Sequence, residues 1–144
     1  MTDPASPAER LGDAYRIWSE SKGSTSEHFL ALIDDKVEMR SVLKEELPDD
    51  LAAYRHSPVG VREYFQTVAR DWEMVDFEVH RIVDGGDDVV MVGRCAFRNR
   101  ATGKLVDTPK VDVWRFEGGR AVSFLEMFDS LAFMRATPVG LAFA

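Results

Sequence analysis

Lys110–Phe133, KVDVWRFEGGRAVSFLEMFDSLAF, decides the fold. Gly118-Gly119 divides it into two runs rich in apolar and aromatic residues, and a glycine pair between such runs predicts two strands joined by a tight turn. Val111, Val113, Trp114 and Phe116 precede the turn; Val122, Phe124, Leu125, Met127 and Phe128 follow it. Three acids, Asp112, Glu126 and Asp129, sit among them. A carboxylate on the buried face of a strand costs several kcal/mol unless it is paired, hydrogen-bonded or neutralised. On the solvent face it carries no such cost. What the chain can do depends on which face each acid takes.

Upstream, the period of two continues. Val75, Phe77 and Val79 alternate with Asp76, Glu78 and His80, and Asp84-Gly85-Gly86-Asp87 predicts a hairpin turn. Val89–Arg98 reads as the next strand, Arg100–Gly103 as a turn, and Leu105–Glu117 and Arg120–Phe133 as the last two strands. The amino-terminal half is helical. Leu11, Ala14, Tyr15 and Trp18 recur at helical spacing and Gly23 ends the run. Ser24 and Glu27 have capping-box spacing before a short helix carrying Phe29, Leu30, Leu32 and Ile33. Lys36–Leu43 alternates as a strand, with Val37, Met39 and Ser41 on one face. Lys44–His56 is charged and irregular, a loop or a lid. Ser57-Pro58 opens a helix bearing Val61, Tyr64, Phe65, Val68 and Trp72. The order predicts an α+β domain, a curved antiparallel sheet with helices gathered on one face. Residues 1–10 read as a flexible arm, 11–134 as the domain, and 135–144 as a tail that is either a flexible end or a strap over a partner subunit.

The chain has 144 residues and a formal net charge of −7. That charge argues against a nucleic-acid partner. A single cysteine, Cys95, excludes an internal disulfide and a cysteine-built metal site. No apolar run has the length of a membrane span, and Met1–Arg10 lacks signal-peptide character, so the expected location is cytoplasmic.

Tyr15–Trp18, Phe29–Glu38, Gly60–Phe65 and Val113–Asp129 follow one another in an order that resembles the nuclear transport factor 2-like superfamily, also called SnoaL-like or ketosteroid isomerase-like. The resemblance covers about Leu11 to Met134. It implies a cone-shaped half-barrel around an apolar pocket, dimerised through the sheet. It fixes no chemistry, since members include isomerases, epoxide hydrolases, dehydratases, polyketide cyclases and proteins without catalysis. Val111–Phe116 is similar to the ketosteroid isomerase strand that carries a protonated oxyanion-hole aspartic acid. That resemblance implies that Asp112 points into the pocket and donates a hydrogen bond to a carbonyl or enolate oxygen, with Tyr15 close to the oxyanion tyrosine. The isomerase's base is an aspartate on the first strand; Met39 stands at that position, and a thioether carries no proton. Asp129-Ser130-Leu131-Ala132-Phe133 resembles the acid-bearing end of limonene epoxide hydrolase, but that enzyme's Arg-x-Asp pair is here Arg94-x-Ala96.

The expected site therefore has Asp112 and Asp129 as acid and base, and Tyr15, Trp18, Met39, Phe65, Trp114, Phe124 and Phe128 around a small apolar organic molecule. No cofactor and no metal are expected, since His28, His56 and His80 lack ligand spacing with any acid. Alternatives stand beside these roles. Asp112 could face solvent, paired with Lys110 or Arg120, and Asp129 could cap a terminal turn. Glu126 shares the parity of Phe124 and Phe128, yet an exposed edge or a dimer ion pair fits it better. His56 could reach the pocket mouth, and Cys95 reads as a small buried hydrophobe. The three functional readings are a cofactor-free enzyme (isomerase, cyclase, dehydratase or hydrolase), a non-catalytic ligand-binding module, and a packed sheet serving as a dimer surface.

Overall fold

The computed structural model describes residues 5–140. Helix α1 spans Pro7–Glu20. Ser6 caps it, its hydroxyl accepting from the Glu9 amide at 3.1 Å, and Pro7 supplies a φ already suited to a first turn. The expected arm is thus too long: Pro7–Arg10 belong to the helix, and residues 1–4 lie outside the described ones. Leu11, Ala14, Tyr15 and Trp18 are buried as the helical period requires. Helix α2, Glu27–Leu30, is a single turn. The expected capping box does not form, because Ser26 holds the cap position and the Ser24 hydroxyl donates to the Ser21 carbonyl instead. Strand β1 follows at once, Ile33–Ser41. A 3-10 turn at Asp50–Ala52 interrupts the next segment, and helix α3 covers Pro58–Asp71 with the Ser57 hydroxyl accepting from the Gly60 amide.

Strand β2 is Trp72–Gly85, β3 Asp88–Asn99, β4 Leu105–Glu117 and β5 Arg120–Phe128. They form one sheet in the order β1-β5-β4-β3-β2. β2 to β5 is an antiparallel meander, whereas β1 joins β5 in parallel, Met39 opposite Phe124, so that edge makes the sheet mixed. β1 and β5 are far apart in sequence, so no hairpin fixes their relative direction. Gly118 and Gly119 turn the β4–β5 hairpin with φ of 56° and 77°, values that side chains with a Cβ rarely adopt. α1 lies against β2, and α3 against β1 and β2.

Further expected boundaries move: the short helix ends at Leu30, so Ile33, expected in it, opens β1 three residues before the expected start at Lys36. β2 leaves α3 directly at Trp72, and bulges at Met74/Asp76 and Val79/Arg81 reset its phase. Trp72, Met74 and Phe77 are therefore buried while Val75 and Val79 face outward. β5 stops at Phe128, and Asp129 caps a last helix, α4, Ser130–Ala136. The expected tail begins inside that helix. The Thr102 hydroxyl donates to the Ala136 carbonyl at 2.6 Å and Thr137 is buried, so this part packs on the chain's own β3–β4 hairpin. Residues 141–144 lie outside the described ones.

A pair of glycine substitutions tests this register. A Cβ on Gly93 would collide with the Glu78 carbonyl beside the second bulge, whereas one on Gly12 in α1 would meet Ile82 at an ordinary 3.6 Å. Urea denaturation should show Gly93→Ala losing about 1–3 kcal/mol. Gly12→Ala should gain up to about 1 kcal/mol from helix propensity.

Candidate functional site

Alternation along β4 sends Lys110, Asp112, Trp114 and Phe116 to the buried face. On β5 the same face carries Phe124, Glu126 and Phe128. The antiparallel register sets Asp112 directly opposite Glu126, Lys110 opposite Phe128 and Trp114 opposite Phe124. Two carboxylates facing each other across a strand pair repel, and burial sharpens the repulsion. Lys110 resolves it. Its Nζ lies 2.7 Å from Asp112 Oδ1 and 3.0 Å from Glu126 Oε2. The relative exposures of Lys110, Asp112 and Glu126 are 8%, 3% and 2%, so this is a buried ionic triad, not a surface pair.

Helices complete it. Tyr15 of α1 donates to Asp112 Oδ2 at 2.6 Å and accepts from Trp114 Nε1 at 2.9 Å. Tyr64 of α3 donates to Glu126 Oε2 at 2.5 Å. Burial alone would push the Lys110 ammonium towards deprotonation, but the Asp112 and Glu126 carboxylates outweigh it and hold the pKa above its usual value. Burial, and then the neighbouring carboxylate, push the Tyr15 and Tyr64 phenols well up. Burial pushes the Cys95 thiol up to about 12, which leaves it an inert hydrophobe.

This polar cluster forms one end of an otherwise aromatic cavity. About 90 Å³ of the cavity can hold the centres of water molecules, room for several waters or a small organic group. Tyr15, Trp18, Phe65, Trp114, Phe124 and Phe128 all line it, joined by Phe29, Leu51, Tyr64, Trp72 and Phe133 among others. Two expected site residues do not. Met39 is buried in the core, its backbone bridged to Arg55, and forms no part of the cavity wall. Asp129 is exposed, with Oδ1 accepting from the Ala132 amide at 3.0 Å to cap α4. The strand ends one residue before it, so strand parity no longer aims it inward. An Asp112–Asp129 acid–base pair is therefore not assembled; the carboxylate beside Asp112 is Glu126.

Asp112 faces inward, so the solvent-facing alternative fails, although Lys110, the partner named in it, does pair with Asp112. Neither of its oxygens is free, and it accepts where the ketosteroid isomerase resemblance implied donation. Glu126, expected at an exposed edge, is buried. Its Oε2 takes both hydrogen bonds, while Oε1 accepts none among the described residues. Oε1 is not among the fully buried atoms that lack a partner, and the Glu126 side chain lines the cavity. Lys110, Glu126 and Tyr64 are the residues that sequence reasoning left out of the site. Strand parity with Asp112 and with Phe124 was the signal for the first two. Arg94 binds Asp107, Asp76 and Glu78 away from the cavity, and His56 pairs with exposed Glu38 at 2.9 Å. Among the described residues no group of three or more His, Cys, Asp or Glu side chains is placed to hold a metal ion.

The family model of the SnoaL-like domain matches residues 14–124, and the chain belongs to that family. No curated protein sequence matches it. Among solved structures, a nuclear transport factor 2-like protein of Burkholderia thailandensis E264 superposes with a TM-score of 0.77 at 25% identity, covering 92% of this chain and 98% of that one. A nuclear transport factor 2-like protein of unknown function from Burkholderia pseudomallei K96243 gives 0.79 at 21% identity, covering 94% and 99%. A hypothetical protein of Catenulispora acidiphila with a ketosteroid isomerase-like fold, in complex with trimethylamine, gives 0.70 at 9% identity, covering 92% and 93%. These likenesses establish the cone-like α+β fold.

Two measurements test the triad. Lys110→Met leaves two buried carboxylates without a cation and should cost about 3–5 kcal/mol at pH 7 by urea denaturation. Lys110, Tyr15 and Tyr64 all have folded-state pKa values above their unfolded ones. Their stabilisation is complete below about pH 10, where the unfolded groups begin to lose protons, and falls as pH rises further. Stability should drop steeply above that pH, and Tyr15→Phe should blunt the drop; a flat profile would contradict the burial of these groups.

Proposed function

We propose that this protein binds a small organic molecule in its aromatic cavity, with Glu126 receiving the molecule's polar end. One observation carries this reading: Glu126 Oε1 has no hydrogen-bond partner among the described residues, yet it belongs to a side chain only 2% exposed that lines the cavity. An oxygen with no protein partner on a side chain that lines the cavity is free to accept a hydrogen bond from a molecule held there. Tyr15 and Asp112 satisfy each other, so the pair that the isomerase resemblance would turn towards a carbonyl is already occupied. The family supports a small-molecule role, and Val75, Val79 and Leu105, exposed on the sheet strands, support pairing of two copies through the sheet as a further part of the proposal.

The same oxygen supports a second reading, cofactor-free acid–base catalysis. Glu126 would take a proton from the bound molecule, with Lys110 and Tyr64 holding its other oxygen in place. All three tryptophans, Trp18, Trp72 and Trp114, line the cavity, so their fluorescence reports occupancy. Titration with a panel of small aromatic and terpenoid molecules should give saturable quenching for at least one. Binding alone predicts that Glu126→Gln weakens that molecule by tenfold or more. Catalysis predicts that binding survives while turnover is lost. Silence across the whole panel would leave only the packed-sheet reading.

A further inference from the structure

We infer that the molecule taken up by this cavity carries a protonated amine, seated on Glu126 Oε1 with its carbon groups against the aromatic rings. The inference rests on the small-molecule reading of the cavity and adds the ligand's charge to it.

Two carboxyl groups, Asp112 and Glu126, share one ammonium, and among the described residues neither has a second cation within ion-pair distance. A ligand ammonium would balance the triad, whereas a ligand carboxylate would bring a third negative group beside it. Donor counting agrees. The Tyr15 hydroxyl donates to Asp112, the Tyr64 hydroxyl to Glu126, the Trp114 N–H to Tyr15 and the Thr108 hydroxyl to the Pro109 carbonyl. Lys110 commits two of its three protons to the carboxylates. A ligand carbonyl thus meets a wall whose strong donors are almost all committed, while a ligand N–H meets an open acceptor.

The walls fit as well. Aromatic faces attract cations, most strongly where water is excluded. Lys110 Nζ already sits 5.4 Å from the Phe128 ring centroid, so an aromatic face beside the triad does take a cation. Tyr64, Phe65, Trp114 and Phe124 line the same cavity. The combination of one open carboxylate oxygen and several ring faces suits an arylalkyl or alkyl ammonium ion.

The test compares three probes of matched size on the full chain at pH 7 by calorimetry: 2-phenylethylamine, 2-phenylethanol and 3-phenylpropionate. The amine should bind at least tenfold tighter than the alcohol, with the acid weakest. Glu126→Gln should remove the amine's advantage and leave the alcohol within about threefold of its wild-type affinity. The wild-type ratio decides the matter by itself if that variant does not fold. Equal or tighter binding of the alcohol or the acid overturns the ammonium inference and leaves the cavity reading intact. Absence of binding by all three also overturns it, and the cavity reading falls with it only if the fluorescence panel is silent too.

Discussion

An ammonium held between two carboxylates, inside a protein, is the constraint on which the remaining structure turns. The β4–β5 register places Asp112 and Glu126 side by side, and only a cation between them makes that placement tolerable. Lys110 supplies it from two residues away on the same strand face. The two long helices add a donor to each carboxylate, Tyr15 to the outer oxygen of Asp112 and Tyr64 to the Glu126 oxygen that Lys110 also binds. The triad thereby ties α1 and α3 to the sheet. Replacing such a cluster by well-packed hydrophobes is often neutral or stabilising, so its presence is poor evidence for a purely structural purpose. The Glu126 oxygen left without a protein partner is the basis of the proposed ligand site.

The aromatic walls keep the space beside the triad from closing. Phe29 stacks on Trp114 at 5.9 Å between ring centroids, and Trp114 packs on Phe124 at 4.4 Å. Trp72 and Phe133 stack at 4.9 Å on the same cavity wall. These rings brace one another around the cavity. Core and cavity are therefore built from the same residues. Charge is segregated as well: the Arg94 cluster satisfies its acids outside the cavity, and among the described residues only the triad brings charge to its wall.

Much of the fold was legible because two periods dominate the sequence. The helical spacing of Leu11, Ala14, Tyr15 and Trp18 and the alternation after Gly118-Gly119 each fix a buried face. The inward direction of Asp112 was implied by the resemblance to the ketosteroid isomerase strand; its parity with Trp114 and Phe116 was compatible with that but left the solvent face open. Three features were hidden for physical reasons. The β2 bulges insert residues that no pattern announces, so Val75 and Val79, which alternate in step with Phe77 in the sequence, face out while Phe77 is buried. Asp129 lies just beyond the end of β5, where a cap competes with the strand and wins. Lys110 and Glu126 shared the correct parity, but a charged side chain is normally exposed, and only the register between strands shows that each makes the other's burial affordable. Met39 occupies a base position by resemblance, yet β1 places it in the core away from the cavity.

Lys110 is a charged, water-shielded ammonium held by both carboxylates. Proton–nitrogen correlation NMR of the lysine side chains at neutral pH tests it most directly, with the Lys110 signal assigned by its loss in Lys110→Arg. The account predicts a resolved ammonium resonance whose protons exchange slowly with water, and which shifts on either Asp112→Asn or Glu126→Gln. A Lys110 resonance that exchanges as fast as those of exposed lysines such as Lys36, or that responds to neither carboxylate, would contradict it.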